Sequence, residues 1–244
     1  WLLQNGLTQT HQNNMGAFGG PDIVDNGLVF ALDAGSERCY PGSGTTADSL
    51  IGSHVGTLTN GVGFSSANGG TFVFDGTDDY ISVPYSTQLD PTVGITFEAW
   101  IYVPDLTTAT YQELYRKENG NGRHLFSFQV NGTILSFGTH TSVNGYNELD
   151  ASITPSGLEN KWLHAVASYQ SGYKAIYIDG DLIDSVTNIT GTLVQAAAAQ
   201  IIGSAYGTSE FFEGNYASFK MYNRGLTAAE VTQNFNAQRT RFGL

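Results

Sequence analysis

Two carboxylates in the sequence have a spacing that is suitable for the hydrolysis of glycosidic bonds. Glycoside hydrolysis needs two carboxyl groups that face the scissile bond, about 5–10 Å apart, and alternate residues of a strand share one face. Glu148 and Asp150 have this spacing, but residues 151–153 add no third carboxylate, and residues 144–147 (Asn-Gly-Tyr-Asn) are typical of a loop. We interpret the pair as solvated loop carboxylates and predict that the chain is not an enzyme.

Nucleophilic catalysis has no better support in the sequence. No Gly-x-Ser-x-Gly elbow accompanies the histidines, and Cys39 is the single cysteine, without a protease signature around it. His164 follows Trp162 by two residues and therefore shares its strand face. We predict that His164 is a packed, hydrogen-bonded side chain. The remaining histidines are His11, His54, His124 and His140.

Several acidic residues could hold calcium, which takes six to eight oxygen ligands from carboxylates, carbonyls and amides. The candidate ligands are Asp33, Asp75, Asp78 and Asp79. A further acidic group contains Asp179, Asp181 and Asp184. Neither group follows the calcium-loop motif, and Asp-Gly pairs at 75–76 and 179–180 are also ordinary hairpin chemistry. The sequence therefore leaves open whether a structural calcium ion binds.

Glycan binding requires aromatic rings for stacking and amide or carboxylate groups for hydrogen bonds to hydroxyls. Two loop-like segments, at 144–147 and 206–212, offer both. The alternative is that their aromatic rings close the ends of the fold or meet a neighbouring subunit. The candidate glycan-binding residues are Asn144, Tyr146, Asn147, Tyr206, Glu210 and Phe211.

Composition limits the class of protein. The chain has 244 residues, a formal net charge of −12 and only ten Lys and Arg residues. Nucleic-acid binding needs a basic surface to neutralise phosphates, so we exclude nucleic acid as a partner. No apolar run approaches the roughly 18 residues of a membrane helix, and we predict no membrane span. No signal peptide is visible, and a first residue of Trp1 is consistent with a fragment or a processed product.

Short apolar segments separated by turns predict an antiparallel β-sandwich. Residues 95–103 mix alternation with apolar continuity, as a core strand does. Asn131-Gly132 and Asp179-Gly180 predict two-residue type I′ hairpin turns. We leave the alanine run at 196–199 outside any helix because strand-like segments flank it.

The two ends of the chain differ from this pattern. Residues 1–25 are rich in Gln, Asn, Gly and Thr and predict an extended N-terminal arm that lies on a partner, whereas residues 26–244 form the domain. Near the C-terminus, Thr227 and Glu230 fit a capping box, with Leu226 and Val231 as a hydrophobic staple. These residues predict one short C-terminal helix.

Six phrases in this order resemble the laminin-G-like, concanavalin A-like jellyroll family. They span roughly residues 26–244 and are 74–80 (Phe-Asp-Gly-Thr-Asp-Asp-Tyr), 95–101 (Ile-Thr-Phe-Glu-Ala-Trp-Ile), 161–167 (Lys-Trp-Leu-His-Ala-Val-Ala), 175–180 (Ala-Ile-Tyr-Ile-Asp-Gly), 202–203 (Ile-Gly) and 222–227 (Tyr-Asn-Arg-Gly-Leu-Thr). The resemblance implies an all-β, antiparallel two-sheet sandwich in which Trp100 and Trp162 anchor two facing sheets. Glucanases of this kind carry Glu-x-Asp-x-Glu on one strand, from which residues 148–152 depart.

A narrower resemblance points to jellyroll domains in structural proteins of tailed bacteriophages. It rests on residues 27–34, 40–45 and the tail at 234–244. From it we predict a non-catalytic virion-surface protein that takes part in assembly or decoration, forms a homo-oligomer, contacts other virion proteins through residues 1–25 and adheres to glycans. The alternative is a calcium-assisted carbohydrate-binding module of a secreted bacterial protein. A glycoside hydrolase or polysaccharide lyase is the least favoured function, because residues 148–152 lack a third carboxylate and no nucleophile signature accompanies the histidines. The same fold hosts all of these activities, so only the site can distinguish them.

Overall fold

The computed structural model describes residues 22–244, which form two antiparallel β-sheets packed face to face. The predicted antiparallel sandwich is confirmed. Residues 1–21 of the predicted arm lie outside the described residues. No helix within residues 22–244 has the length and apolar character that crossing a membrane would require.

One sheet, here called the back sheet, contains eight strands. In spatial order these are β14 (Asp181–Val186), β13 (Tyr173–Ile178), β12 (Trp162–Gln170), β7 (Gly94–Tyr102), β16 (Glu213–Tyr222), β5 (Thr71–Asp75) and β4 (Gly63–Ser65), while β1 (Leu28–Asp33) pairs with the second half of β16. The central pairing runs β12–β7–β16, so the middle of this sheet combines segments far apart in the sequence.

The other sheet, here called the front sheet, also has eight strands. In spatial order these are β11 (Gly145–Ser152), β10 (Ile134–Thr141), β9 (Arg123–Gln129), β8 (Tyr111–Glu118), β15 (Gln200–Ile202), β6 (Tyr80–Val83), β3 (Val55–Thr59) and β2 (Thr46–Asp48). Strands β8 to β11 follow one another as hairpins, whereas β15 enters from a distant part of the chain.

Aromatic rings fill the space between the sheets. Phe97 of the back sheet lies 3.9 Å, centroid to centroid, from Tyr115 of the front sheet, and Tyr115 stacks on Phe219 at 5.6 Å. Each ring is almost completely buried, and aromatic burial of this kind is a main contribution to core stability. On β7 the inward side chains alternate with Thr96, Glu98 and Trp100 on the outer face.

The outer face of the back sheet is also covered, which explains why β7 is almost continuously buried. Helix α1 (Ala228–Gln238) and the short 3₁₀ turn Arg239–Phe242 lie across it. Trp100 stacks on Phe242 at 4.2 Å and on Phe235 at 5.8 Å, and half-buried Trp162 lies 4.7 Å from Phe242. The prediction that Trp100 and Trp162 lie between the sheets is therefore wrong. Both pack beneath the C-terminal segment, because even-numbered residues of β7 and β12 face outward.

Helix α1 begins as predicted. Thr227 accepts a hydrogen bond from the Glu230 backbone, the Glu230 side chain accepts one from the Thr227 backbone, and Leu226 and Val231 are buried together. Arg224 adds a two-pronged ion pair to Glu230, at 2.9 and 2.6 Å. The pKa of Glu230 falls to about 2, chiefly because Arg224 donates to the carboxylate.

A buried polar network fixes the helix to the back sheet. Glu98 lies 2.7 Å from the Lys220 ammonium, 3.2 Å from His164 Nε2 and 2.5 Å from the Asn234 amide nitrogen. Burial alone raises the pKa of Glu98, but Lys220 and His164 outweigh it and hold the pKa well below its usual range. His164 is fully buried, which confirms the predicted packing; its Nε2 faces Glu98, while its Nδ1 has no hydrogen-bond partner within residues 22–244.

Residues 22–25 are packed against this same region. The Val24 amide donates to the Asn234 side-chain oxygen at 2.7 Å, and the Tyr222 hydroxyl donates to the Val24 carbonyl at 3.1 Å. Val24 is buried with Val231. The last residues of the predicted arm therefore emerge beside helix α1, on the outer side of the back sheet.

Of the two predicted two-residue hairpin turns, one is confirmed and the other is wrong. Asp179 and Gly180 have φ angles of 53° and 86° between paired residues Ile178 and Asp181, which confirms a two-residue turn. The predicted two-residue turn at Asn131-Gly132 is instead a four-residue turn, 130–133, between the paired residues Gln129 and Ile134. Residues 196–199 contain no helix, as predicted.

Candidate ligand-binding face

The outward side of strands β8 to β11 carries a continuous group of polar side chains, here called the polar face. The strand register brings Glu118 opposite Arg123 and Ser136 opposite Asp150. The loop between β15 and β16 adds Tyr206. The members of the polar face are Glu113, Arg116, Glu118, Arg123, Ser136, Tyr146, Glu148, Asp150 and Tyr206.

Two arginines link one side of the polar face to the other. The Arg116 guanidinium lies 4.8 Å from the centre of the Tyr206 ring and donates to the Tyr206 hydroxyl at 2.9 Å. Glu118 accepts hydrogen bonds from Tyr206 at 2.6 Å and from Arg116 at 2.9 Å, and lies 3.3 Å from Arg123 Nε. Arg123 in turn stacks on the Tyr146 ring at 4.4 Å. Such contacts combine charge pairing with cation–π attraction.

Glu148 and Asp150 lie beyond Tyr146 on the same strand, β11. The interpretation of these residues as loop carboxylates is therefore wrong: residues 145–152 form an edge strand, and both carboxylates point to its outer face. Ser136 lies within hydrogen-bonding distance of both, 3.1 Å from Glu148 and 2.6 Å from Asp150. The Tyr146 hydroxyl also donates to Glu148. Asp150 is exposed and Glu148 half-buried.

The absence of a side chain at Gly138 creates the space for Tyr146. A Cβ atom at Gly138 would lie 2.5 Å from the Tyr146 hydroxyl and 2.8 Å from the Cγ of Leu125. Tyr146 therefore lies across β10 rather than projecting into solvent. Burial is the main cause that raises the pKa of Tyr146 well above its usual range, and the neighbouring Glu148 adds to the shift. The Tyr146 hydroxyl therefore remains a donor.

Glu113 is the deeply buried member of the polar face. Its carboxylate lies 3.3 Å from Arg116, and its side chain is 1% exposed. Burial raises the pKa of Glu113 well above its usual range; Arg116 opposes this shift and nearby Glu210 adds to it. Glu113 is consequently held in its protonated form more readily than an exposed glutamate.

A buried lysine of the back sheet reaches the inner side of β11. Lys174 of β13 donates to the backbone and side-chain oxygens of Asn147, both at 2.9 Å, and lies 4.9 Å from the Phe137 ring. Burial lowers the pKa of Lys174 to about 7, although Glu148 and Asp150 partly offset the shift. This contact ties the edge of the front sheet to the back sheet.

The structure brings together only some of the predicted glycan-binding residues. Tyr146 and Tyr206 belong to the polar face, and the Glu210 backbone binds the Glu113 amide at 2.9 Å beside it. Asn147 is engaged by Lys174, Asn144 is exposed in the β10–β11 turn and accepts from the Thr190 amide at 2.8 Å, and Phe211 is half-buried. Sequence reasoning missed Glu113, Arg116, Glu118, Arg123 and Ser136. Arg116, Glu118 and Arg123 could have been found from Asn-Gly-Asn-Gly at 119–122. This stretch predicts a hairpin turn, and a hairpin pairs the charged residues on its two sides.

Among residues 22–244, Asp75, Asp78 and Asp79 offer carboxylate oxygens that all lie within 4.8 Å of one another. Asp79 is 3% exposed; its Oδ2 accepts from the Asp75 amide at 3.1 Å, while its buried Oδ1 has no hydrogen-bond partner in the part of the chain that the structure describes. Burial raises the pKa of Asp79, and the charges of Asp75 and Asp78 add to the shift. A cation would supply the missing partner, so this donor set fits a hard metal ion.

The other acidic residues named from the sequence lie elsewhere. Asp33 is not part of this group; its carboxylate binds Arg241 at 2.9 and 3.0 Å. Asp179 accepts from the His164 amide at 2.9 Å, and Asp181 and Asp184 are exposed on β14.

Two open grooves lie away from the polar face. One, of about 380 Å³, borders the loop 87–93 and includes Gln195 and Asn223. The other, of about 220 Å³, is lined by residues 53–55 and 83–86. Neither includes Glu148 or Asp150.

Several solved structures of similar fold are binding domains. The binding domain of Paraclostridial Mosquitocidal Protein 1 superposes with a TM-score of 0.67 and 19% identity, covering 86% of this chain and 52% of that chain. The Botulinum neurotoxin serotype G binding domain gives a TM-score of 0.67 and 14% identity, with 85% and 50% coverage. The binding domain of Botulinum neurotoxin DC, solved with rat synaptotagmin II, gives 0.64 and 14%, with 87% and 52% coverage. This chain thus spans about half the length of these structures, and the likeness concerns the fold.

A search of curated proteins finds no match. A laminin G-type family model, described as the concanavalin A-like lectin/glucanases superfamily, matches residues 75–232. This range covers more than half of the chain and includes most strands of both sheets. The chain belongs to the concanavalin A-like lectin/glucanases superfamily.

Proposed function

We propose that the chain is a non-catalytic module that binds glycans through the polar face. The observation that carries this proposal is that Glu148 and Asp150 share one hydroxyl donor, Ser136. A serine hydroxyl has one proton, so Ser136 donates to only one of the two carboxylates at a time. Asp150 is exposed and has no other side-chain donor within residues 22–244, so it remains free to accept hydrogen bonds from the hydroxyls of a sugar.

The same contacts favour binding over hydrolysis. A glycosidase needs one protonated carboxyl group as the acid and a second group as base or nucleophile, with the sugar held between them. Glu148 accepts hydrogen bonds from Tyr146 and Ser136, so its oxygens already have donors within the protein. Both carboxylates lie outside the two described grooves, and residues 148–152 (Glu-Leu-Asp-Ala-Ser) lack the third carboxylate of the glucanase motif. The strand therefore offers hydrogen-bond acceptors on an open face rather than an acid and a base inside a cleft.

A glycan array tests this proposal directly. We expect the wild-type chain to bind one or more glycans and Asp150→Ala to lose most of that binding. Asp184→Ala is the matched control, because Asp184 is an exposed strand aspartate on the back sheet. Binding that is equal in both variants would place the site elsewhere. Release of sugars from polysaccharides by the wild type, abolished by Asp150→Ala, would show an enzyme instead.

We further propose that this module is displayed on a virion surface as a homo-oligomer, with residues 1–25 contacting neighbouring structural proteins. Support comes from the position of residues 22–25 beside helix α1, behind the back sheet, whereas the polar face is on the front sheet. Attachment to the particle and contact with glycans would then use opposite sides of the sandwich. Deletion of residues 1–21 should abolish incorporation into particles but leave glycan binding intact. A monomer that never copurifies with particles would favour the alternative, a carbohydrate-binding module of a secreted bacterial protein.

For the acidic group Asp75, Asp78 and Asp79 we propose structural calcium binding. The unpartnered, buried Oδ1 of Asp79 supports this assignment. Calcium bound there would cross-link the 75–79 loop and raise the melting temperature. Calorimetry should detect calcium binding in the wild type and in Asp184→Asn, but not in Asp79→Asn. No heat and no rise in melting temperature for the wild type would exclude the ion.

A further inference from the structure

We infer that Glu113 and Glu210 share one proton and form a pH-sensitive latch, which holds the loop 203–212 against strand β8. This loop, here called the Tyr206 loop, connects β15 to β16 and supplies Tyr206 to the polar face. The carboxyl pair exists whether or not the polar face binds glycans. Only its effect on glycan affinity rests on the proposed function.

Two contacts join Glu113 to Glu210. The Glu113 amide donates to the Glu210 carbonyl at 2.9 Å, and the two side-chain carboxyl groups are hydrogen-bonded to each other. An ionised carboxylate only accepts hydrogen bonds, so two carboxyl groups bond each other only when one of them carries a proton. The observed contact therefore requires one proton for the pair.

Glu113 is the member that keeps this proton. Its side chain is 1% exposed, whereas Glu210 is half-buried. Burial is the main cause that raises the pKa of Glu113 well above its usual range, and the negative charge of Glu210 adds to the shift. When the proton leaves, two negative charges face each other across this contact and repel.

The other titratable groups that face Glu113 leave the proton in place. Arg116 of the same strand lies 3.3 Å away and lowers the pKa of Glu113, but burial outweighs it. Arg116 also pairs with Glu118 at 2.8 Å and donates to the Tyr206 hydroxyl, so its charge serves several partners. From β16, the buried Tyr216 hydroxyl stays neutral, because burial and then Glu113 raise the pKa of Tyr216.

The Tyr206 loop depends on such a latch because its own backbone is strained. Tyr206 and Glu210 have φ angles of 61° and 55°, in the left-handed region that residues other than glycine rarely adopt. Tyr206 is 51% exposed, and its place on the polar face comes from its contacts with Arg116 and Glu118. Repulsion between Glu113 and Glu210 would release the strained loop and draw Tyr206 away from Arg116.

Carbon-13 NMR of the glutamate side chains tests the pair without any ligand. We expect the Glu113 carboxyl group to titrate with a pKa well above the ordinary value of 4.5, and the Tyr206 ring resonances to shift in the same pH step. Glu113→Gln keeps a donor but no titrating proton, so the Tyr206 resonances should stay at their low-pH positions throughout. Glu210→Gln removes the opposing charge, so the step should move to lower pH. Asp184→Asn, on the exposed edge of the back sheet, is the control and should change neither result.

Three results would overturn the latch: a Glu113 carboxyl group with an ordinary pKa, a titration that leaves the Tyr206 resonances in place, or a pH step that persists in Glu113→Gln. Glycan affinity supplies a second measurement. It should fall about tenfold in the wild type as the pair loses its proton, and it should not change with pH over this range in Glu113→Gln. A chain that binds no glycan at any pH would refute the proposed function alone, because the NMR titration decides the latch independently.

Discussion

Asn234 offers a sharp test of how the C-terminal helix is held. It is fully buried, donates to Glu98 at 2.5 Å and to Tyr222 at 2.9 Å, and accepts from the Val24 amide at 2.7 Å. In Asn234→Ala the buried Glu98 carboxylate loses a charge-assisted bond, worth about 1.5–3 kcal/mol, and the Val24 amide is left unpaired at a cost of about 1–3 kcal/mol. We expect the free energy of unfolding to fall by about 3–5 kcal/mol.

Urea unfolding followed by tryptophan fluorescence measures this loss, because Trp100 packs directly beneath the helix. Gln233→Ala is the matched control, because Gln233 is the exposed neighbour on the same helix. Its one side-chain hydrogen bond within residues 22–244 goes to the Asp22 carbonyl, at 2.8 Å. That change should cost about 0.5 kcal/mol or less. A cost below about 1 kcal/mol for Asn234→Ala would refute the view that this network fixes the helix to the sheet.

Further substitutions probe the polar face, the buried lysine and the helix cap. Gly138→Ala places a Cβ 2.5 Å from the Tyr146 hydroxyl, so glycan affinity should fall about tenfold, whereas Gly157→Ala, in open space, should have no effect. The Lys174 pKa of about 7 in the folded chain lies below its ordinary value of 10.5, so the unfolded chain binds more protons between these values and stability should rise from pH 7 to pH 9. Lys174→Met should abolish that rise in urea titrations; an unchanged rise would contradict the burial argument. Thr227→Ala should lower the unfolding free energy by about 0.5–2 kcal/mol in the same assay, and no loss would show that the cap is dispensable.

Local features of the chain could be predicted from the sequence because their causes are local. The Asp179-Gly180 turn depends on two residues that tolerate positive φ, and the start of helix α1 depends on Thr227 and Glu230 three positions apart. The order of the apolar strands, together with the family resemblance, predicted the sandwich. These signals require no knowledge of the distant parts of the chain.

The errors came from tertiary contacts. Trp100 was predicted between the sheets, but it lies on the outer face of β7, which is buried because Phe235 and Phe242 return to cover it. Glu148 and Asp150 were read as loop residues because the Asn-Gly-Tyr-Asn stretch hides the beginning of an edge strand. The polar face itself depends on the pairing of β8 with β9 and on the Tyr206 loop, which only the fold brings beside Arg116.

Amide hydrogen exchange with and without a bound neutral oligosaccharide tests the central claim most directly. If the polar face is the glycan site, added sugar should slow exchange in β10, β11 and the loop around Tyr206, and leave helix α1 unchanged. Protection confined to helix α1, or to the groove at residues 53–55 and 83–86, would contradict the assignment.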